Sequence, residues 1–128
     1  MLRIDAEDNY KIHLTRGDRG SIKVSAYDEL NNMPYTFQVD DKISFVVVKE
    51  NDYSSEKPVL RKDIFLTQAA TEVEIPLTST ETKIGYPINK KTKYWYNVVL
   101  NDDITILGSD ENDEKILILY PEVGENNG

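Results

Sequence analysis

The feature that most constrains this chain is a succession of short runs in which aliphatic, aromatic and β-branched residues fall at every second position, each run closed by Asn, Asp, Gly or Pro. A period of two places successive side chains on opposite faces of an extended backbone, whereas a helix needs a stripe of period 3.6. Tyr10 to Leu14 alternates, with Tyr10, Ile12 and Leu14 on one face and Lys11 and His13 on the other. Arg16-Gly17-Asp18-Arg19-Gly20 turns the chain, and Ser21 to Tyr27 alternates again with Ile22, Val24 and Ala26 inward, so the two runs form a first hairpin or corner. Lys42 to Lys49 is the strongest strand of the first half. Its Ile43, Phe45 and Val47 share one face, while Val46 and Val48 make the other face apolar as well. Leu60 to Phe65 and Glu72 to Leu77 are two shorter strands, beyond a polar loop at Asn51 to Pro58. The last third holds Tyr94 to Leu100, Ile104 to Leu107 and Lys115 to Tyr120 in close succession.

One segment departs from this rhythm. Thr78 to Gly85 has a capping hydroxyl, an acid three places on and a closing Gly, which predicts a single helical turn between strands. Seven to nine short strands with one such turn and no alternation of strand and long helix predict an all-β fold, an immunoglobulin-like antiparallel β-sandwich. With 128 residues there is room for one core. The expected division is a lead-in at 1–9, one sandwich domain at 10–122 and a flexible tail at 123–128.

Composition narrows function by exclusion. A formal charge of −8 repels phosphate backbones, and Lys90-Lys91-Thr92-Lys93 is the one basic cluster, so nucleic acid is not the expected partner. Zero Cys removes disulfides and thiolate metal sites. No apolar stretch has the length of a membrane span, and Met1 to Asp8 lacks the apolar core of a signal peptide, so the chain is expected to be made and kept in the cytoplasm unless it leaves by another route.

The chemistry-bearing residues are sparse. His13 stands alone and on the polar side of its strand, with no nucleophile or metal partner in the pattern, and no enzyme is expected, nor any cofactor. Asp110, Asn112 and Glu114 alternate as the start of a calcium loop would, but the central Gly and distal Glu of an EF-hand are missing, and a solvated acidic hairpin is the plainer reading. Arg16-Gly17-Asp18 matches the tripeptide of integrin ligands, yet Gly-Asp between strands is what a tight turn requires. Trp95 falls opposite Tyr94, Tyr96, Val98 and Leu100, and is either core in a strand covered on both sides or an anchor for a partner. Ile116 to Leu119 has no polar face, so this strand is central in a sheet or covered by another subunit. Trp95, Val46, Val48, Leu117 and Leu119 are therefore the interface candidates, wherever they prove exposed.

Ile12-His13-Leu14-Thr15-Arg16-Gly17-Asp18, Tyr94-Trp95-Tyr96-Asn97-Val98-Val99-Leu100 and the stretch from Thr105 through Gly108-Ser109-Asp110-Glu111-Asn112 to Leu119-Tyr120-Pro121-Glu122 resemble segments of small structural proteins of phages and prophages of Gram-positive bacteria. In that family, a hydrophobic residue followed by Thr-Arg-Gly-Asp opens an immunoglobulin-like domain similar to the N-terminal domain of baseplate upper proteins. The likeness covers most of Tyr10 to Glu122, and within the 128 residues no coiled-coil or receptor-binding continuation is expected. The resemblance implies a non-enzymatic virion structural or adaptor protein of the tail or baseplate. Its expected partners are other tail or baseplate proteins or a second copy of itself, and it would assemble in the host cytoplasm. The rival expectation is a module binding cell-surface carbohydrate, with calcium at Asp110 to Glu114 and with Tyr35, Tyr53 or Trp95 as sugar platforms.

Overall fold

The structure, a computed structural model, describes residues 1–49, 58–85, 88–108 and 113–122. Among these the chain is all-β, with no helix. In chain order the strands are β1 (Leu2–Asp5), β2 (Lys11–Thr15), β3 (Gly20–Val24), β4 (Tyr27–Asp28), β5 (Met33–Pro34), β6 (Lys42–Val48), β7 (Leu60–Phe65), β8 (Val73–Leu77), β9 (Thr92–Leu100), β10 (Ile104–Leu107) and β11 (Ile116–Tyr120).

A curled seven-stranded sheet runs β1-β2-β11-β9-β6-β7, with β10 also on β9. β3 and β8 pair separately, as do the short β4 and β5. The period-two pattern sorts residues into the core as the sequence predicts. Ile12 and Leu14 of β2, Ile43, Phe45 and Val47 of β6, and Tyr94, Tyr96, Val98 and Leu100 of β9 are buried on the inner face of the large sheet. Ile22 and Val24 of β3 meet Val73, Ile75 and Leu77 of β8 in the same apolar cluster, which makes the β3/β8 ribbon the second layer over one core. β2 and β3, consecutive in sequence, thus belong to different sheets. The turn between them is a corner.

Three expectations change. The large sheet is mixed, because β11 enters between β9 and β2, antiparallel to the first and parallel to the second. Strands from opposite ends of the chain can pair in parallel because the whole intervening domain serves as the crossover. The predicted lead-in holds a strand, β1, paired antiparallel with β2 from Leu2 opposite Leu14 to Asp5 opposite Lys11. Tyr10, at φ 56°, belongs to the turn before β2 and is 42% exposed, not part of the inward row.

The segment predicted as a helical turn carries one i to i+4 bond, from Thr82 N–H to Thr78 C=O at 3.1 Å, followed by a tighter one from Lys83 N–H to Thr80 C=O at 3.2 Å. Two bonds of different span make a turn, not a helix. Its capping chemistry is nonetheless reciprocal. Thr78 N–H donates to Glu81 Oε1 at 2.9 Å, and Glu81 N–H donates to Thr78 Oγ1 at 3.1 Å.

The Arg16 turn closes the corner from within. Arg16 is buried, 6% exposed, and its guanidinium donates to the carbonyls of Ile84 and Gly85 at 3.2 and 3.1 Å. Gly17 sits at φ 89°, a conformation that residues with a Cβ rarely adopt, so any side chain there would be strained. Asp18 N–H returns to Thr15 C=O, and the Asp18 carboxylate takes the N-terminal ammonium. An Arg committed to buried carbonyls is not displayed to a receptor, and the tripeptide is architecture.

Candidate interaction surfaces

Two surfaces stand out: the outer face of the large sheet, and a groove between the β4/β5 hairpin and β10.

On the outer face, the register brings Val48 of β6 beside Trp95 of β9, and Trp95 beside Ile116 of β11. Val46 lies opposite Asn97, and Ile118 lies between Lys93 and His13. Val46, Trp95, Ile116 and Ile118 are each half-buried, so a face that alternation would leave polar carries an apolar belt across three strands. Lys93 Nζ rests 4.8 Å from the centre of the Trp95 ring, a cation–π contact that holds the indole against the sheet. The indole Nε1 of Trp95 and Oδ1 of Asn97, two residues apart on this face, are shielded from water and have no hydrogen-bond partner among the described residues. His13 Nδ1 lies 2.9 Å from the Tyr120 hydroxyl at the margin of the belt, and desolvation, then the charges of Arg3 and Lys11, hold its pKa below the usual value.

The five interface candidates therefore separate. Leu117 and Leu119 are fully buried, because their register partners are the core residues Tyr94 and Ile12 for Leu117 and Leu14 for Leu119. They are core and present nothing to a partner. Val48 is on the outer face but only 3% exposed, which also removes it. Trp95 and Val46 remain, and the register adds Ile116 and Ile118. Alternation alone could not find these two, since both faces of Ile116 to Leu119 are aliphatic and only pairing with β2 and β9 says which one turns inward.

Of the acidic-turn candidates, Asp110 and Asn112 lie outside the described residues, as does Tyr53. Glu114 is exposed, with its carboxylate 3.7 Å from Lys93 Nζ. Its neighbour Lys115 is buried and donates to Asp113 Oδ2 at 2.7 Å and to Asn9 Oδ1 at 2.9 Å. The Lys115 hydrogen bond, foremost, holds the Asp113 carboxyl below its usual range. The described end of the acidic turn is thus neutralised by the protein's own ammonium groups. No group of three or more His, Asp or Glu side chains among the described residues is arranged to hold a metal ion.

The groove, about 740 Å³, lies between the β4/β5 hairpin and β10. Tyr10, Tyr27 and Tyr35 line it with Leu30, Ile104 and Ile106. Tyr35 N–H bonds Ala26 C=O at 2.9 Å and its ring meets Phe37 edge-on, which fixes the inner wall. Tyr27 donates its hydroxyl to Asn32 across the hairpin. Leu30 is 97% exposed, Tyr27 57% and Ile104 54%. Tyr35 in this groove and Trp95 on the outer face of the large sheet do not converge, so these two expected sugar platforms share no site. Tyr10, Tyr27 and Ile104 escape sequence reasoning because the hairpin and β10 meet only in the tertiary fold. No protein-family model, curated protein or solved structure is similar enough to this chain to match it.

Proposed function

We propose that this chain is a non-enzymatic structural or adaptor protein of a phage tail or baseplate, acting by protein–protein association through the outer face of its large sheet. The observation that carries the reading is the belt of Val46, Trp95, Ile116 and Ile118, four half-buried apolar side chains on the face of the large sheet turned away from the β3/β8 layer. Contiguous apolar surface rimmed by charge is how association sites differ from ordinary surface, and a Trp at the centre is the residue type most often found to dominate such contacts.

The finer fold assignment, an immunoglobulin-like sandwich, belongs to the same proposal. Its support is the strand arrangement: a first-half strand, β2, running parallel to the last strand, β11; the order β11-β9-β6-β7 beyond it; and β3 paired with β8 in the opposing layer. The resemblance of the quoted segments, over most of Tyr10 to Glu122, to phage structural proteins supports the setting.

Two measurements test it. Genes beside the one encoding this chain should specify tail or baseplate components, and neighbours of unrelated metabolic function would overturn the phage assignment. Light scattering of the chain mixed with the products of those neighbouring genes should give a complex that Trp95→Ala or Val46→Asp weakens about tenfold or more. A complex indifferent to both substitutions would remove the outer face from the mechanism.

A further inference from the structure

One edge of β9 carries two strands end to end: β11 along Thr92 to Trp95, and β10 along Val98 to Leu100. β2 continues the sheet beyond β11. Beyond β10 nothing does, since among the described residues it pairs with β9 alone. β2 begins only at Lys11, after Asn9 and Tyr10, both with positive φ, and Tyr10 lines the groove beside β10. The Leu2 side chain of β1 packs against Gly20 of β3, and the groove lies between β10 and the β4/β5 hairpin.

An unpaired strand edge beside an open apolar groove has one physical complement. An extended peptide can bond its backbone to the edge and place every second side chain in the groove. The charge of the rim selects the kind of peptide. Glu29 lies in the groove wall and Asp103 in the adjoining β9–β10 turn, both exposed, and the formal charge of the whole chain is −8. Lys115, with its ammonium 5.9 Å from the Tyr10 ring centre, is engaged with Asp113 and Asn9, and Lys42 and Arg61, which reach the β9–β10 turn, are engaged with Asp102. Pairing β10 with β10 of a second copy would bring these carboxylates against their duplicates.

We infer that the free edge of β10 and the groove of Tyr10, Tyr27, Leu30, Tyr35 and Ile104 receive an extended, lysine- or arginine-bearing segment of a partner protein, which adds to the large sheet as a strand. This site is distinct from the outer face, and it stands whether or not the chain belongs to a virion. The short, twisted β10, with its register shift between Thr105 and Leu107, leaves room for a segment of four or five residues.

The test uses the full chain, isotope-labelled for NMR, titrated with a nine-residue capped peptide alternating lysine and valine. The expected result is saturable shifts of the amides of Ile104 to Leu107 together with Tyr27 and Tyr35. Binding should weaken about tenfold or more with Ile104→Lys, with Tyr27→Ala, and with the same peptide carrying proline at alternate positions. Val46→Asp, on the other face, should leave it unchanged, which separates this inference from the function proposed above. Absence of shifts at Ile104 to Leu107, or equal binding of a glutamate–valine peptide, would overturn it. So would groove shifts produced by maltohexaose and not by the peptide, or a dimer in light scattering that Ile104→Lys dissolves.

Discussion

Among single residues, Thr78 and Glu81 show how little chemistry decides a local conformation. Each donates its backbone N–H to the other's side chain, and Glu81 also meets Lys62 Nζ at 2.9 Å across the layers. The Thr78 N–H bond, then the Lys62 contact, keep the Glu81 carboxyl below its usual value. Thr78→Ala removes one half of the reciprocal pair and should lower unfolding free energy by about 1 kcal/mol. Denaturant titration measures this, and an unchanged midpoint would show that the turn holds without its cap. Tyr96 shows the same economy in the interior, where its fully buried ring reaches out to donate a hydroxyl to the Tyr10 carbonyl and ties β9 to the β1–β2 turn.

The informative element is β11, which lies between β2 and β9. Its pairing with β2 on one side and β9 on the other fixes Leu117 and Leu119 inward and Ile116 and Ile118 outward. Substituting residues one position apart should therefore give unequal results. Leu117→Ala, at a site with no exposure, should cost about 2–5 kcal/mol through lost burial and a cavity, whereas Ile118→Ala on the outer face should cost less than half as much. Equal losses in chemical denaturation would mean that the outer face is covered as tightly as the inner one. The run Ile116 to Leu119 has no polar residue to declare an orientation, so only register could supply it. β1 was equally illegible, because Leu2-Arg3-Ile4-Asp5 is too short to show a period and becomes a strand only by lying along β2.

For the whole molecule, acid should loosen the fold in a defined order. Five carboxyls among the described residues have pKa values below their ordinary range: Glu81 through Thr78, Asp63 through the Ser44 hydroxyl, Asp102 through Lys42, Asp113 through Lys115, and Asp28 through the Asn31 side chain. A carboxyl depressed in the folded state stabilises above its unfolded value, about 3.8 for Asp and 4.5 for Glu, and that contribution is lost as pH falls through the folded value. His13, also depressed, adds an earlier step of the same sign. The unfolded chain takes up its proton near pH 6.5 before the folded one does, so stability starts to fall there. The melting temperature should therefore decline gently from pH 7 to 5 and steeply below 4.5, and His13→Gln should flatten the first part alone. A melting temperature that rises on acidification would contradict these assignments and would point to relief of the net charge of −8 as the larger effect.

The sequence by itself determined the longer strands and most of their inward rows, because alternation is a local property. Ile12 with Leu14, Ile43 with Phe45 and Val47, and Tyr94 with Tyr96 and Val98 all follow from a two-residue period and the free energy of burying one face. It also set the acidic charge and the turns, including the buried Arg16 corner that a Gly-Asp pair announces. The tertiary structure alone decided the parallel partnership of β2 and β11, the orientation of the doubly apolar last strand, and the meeting of Tyr10, Tyr27, Tyr35 and Ile104 around one groove. Each joins residues far apart in the chain, and pairing between distant segments is fixed by the packing of the whole core, which no window of neighbouring residues contains.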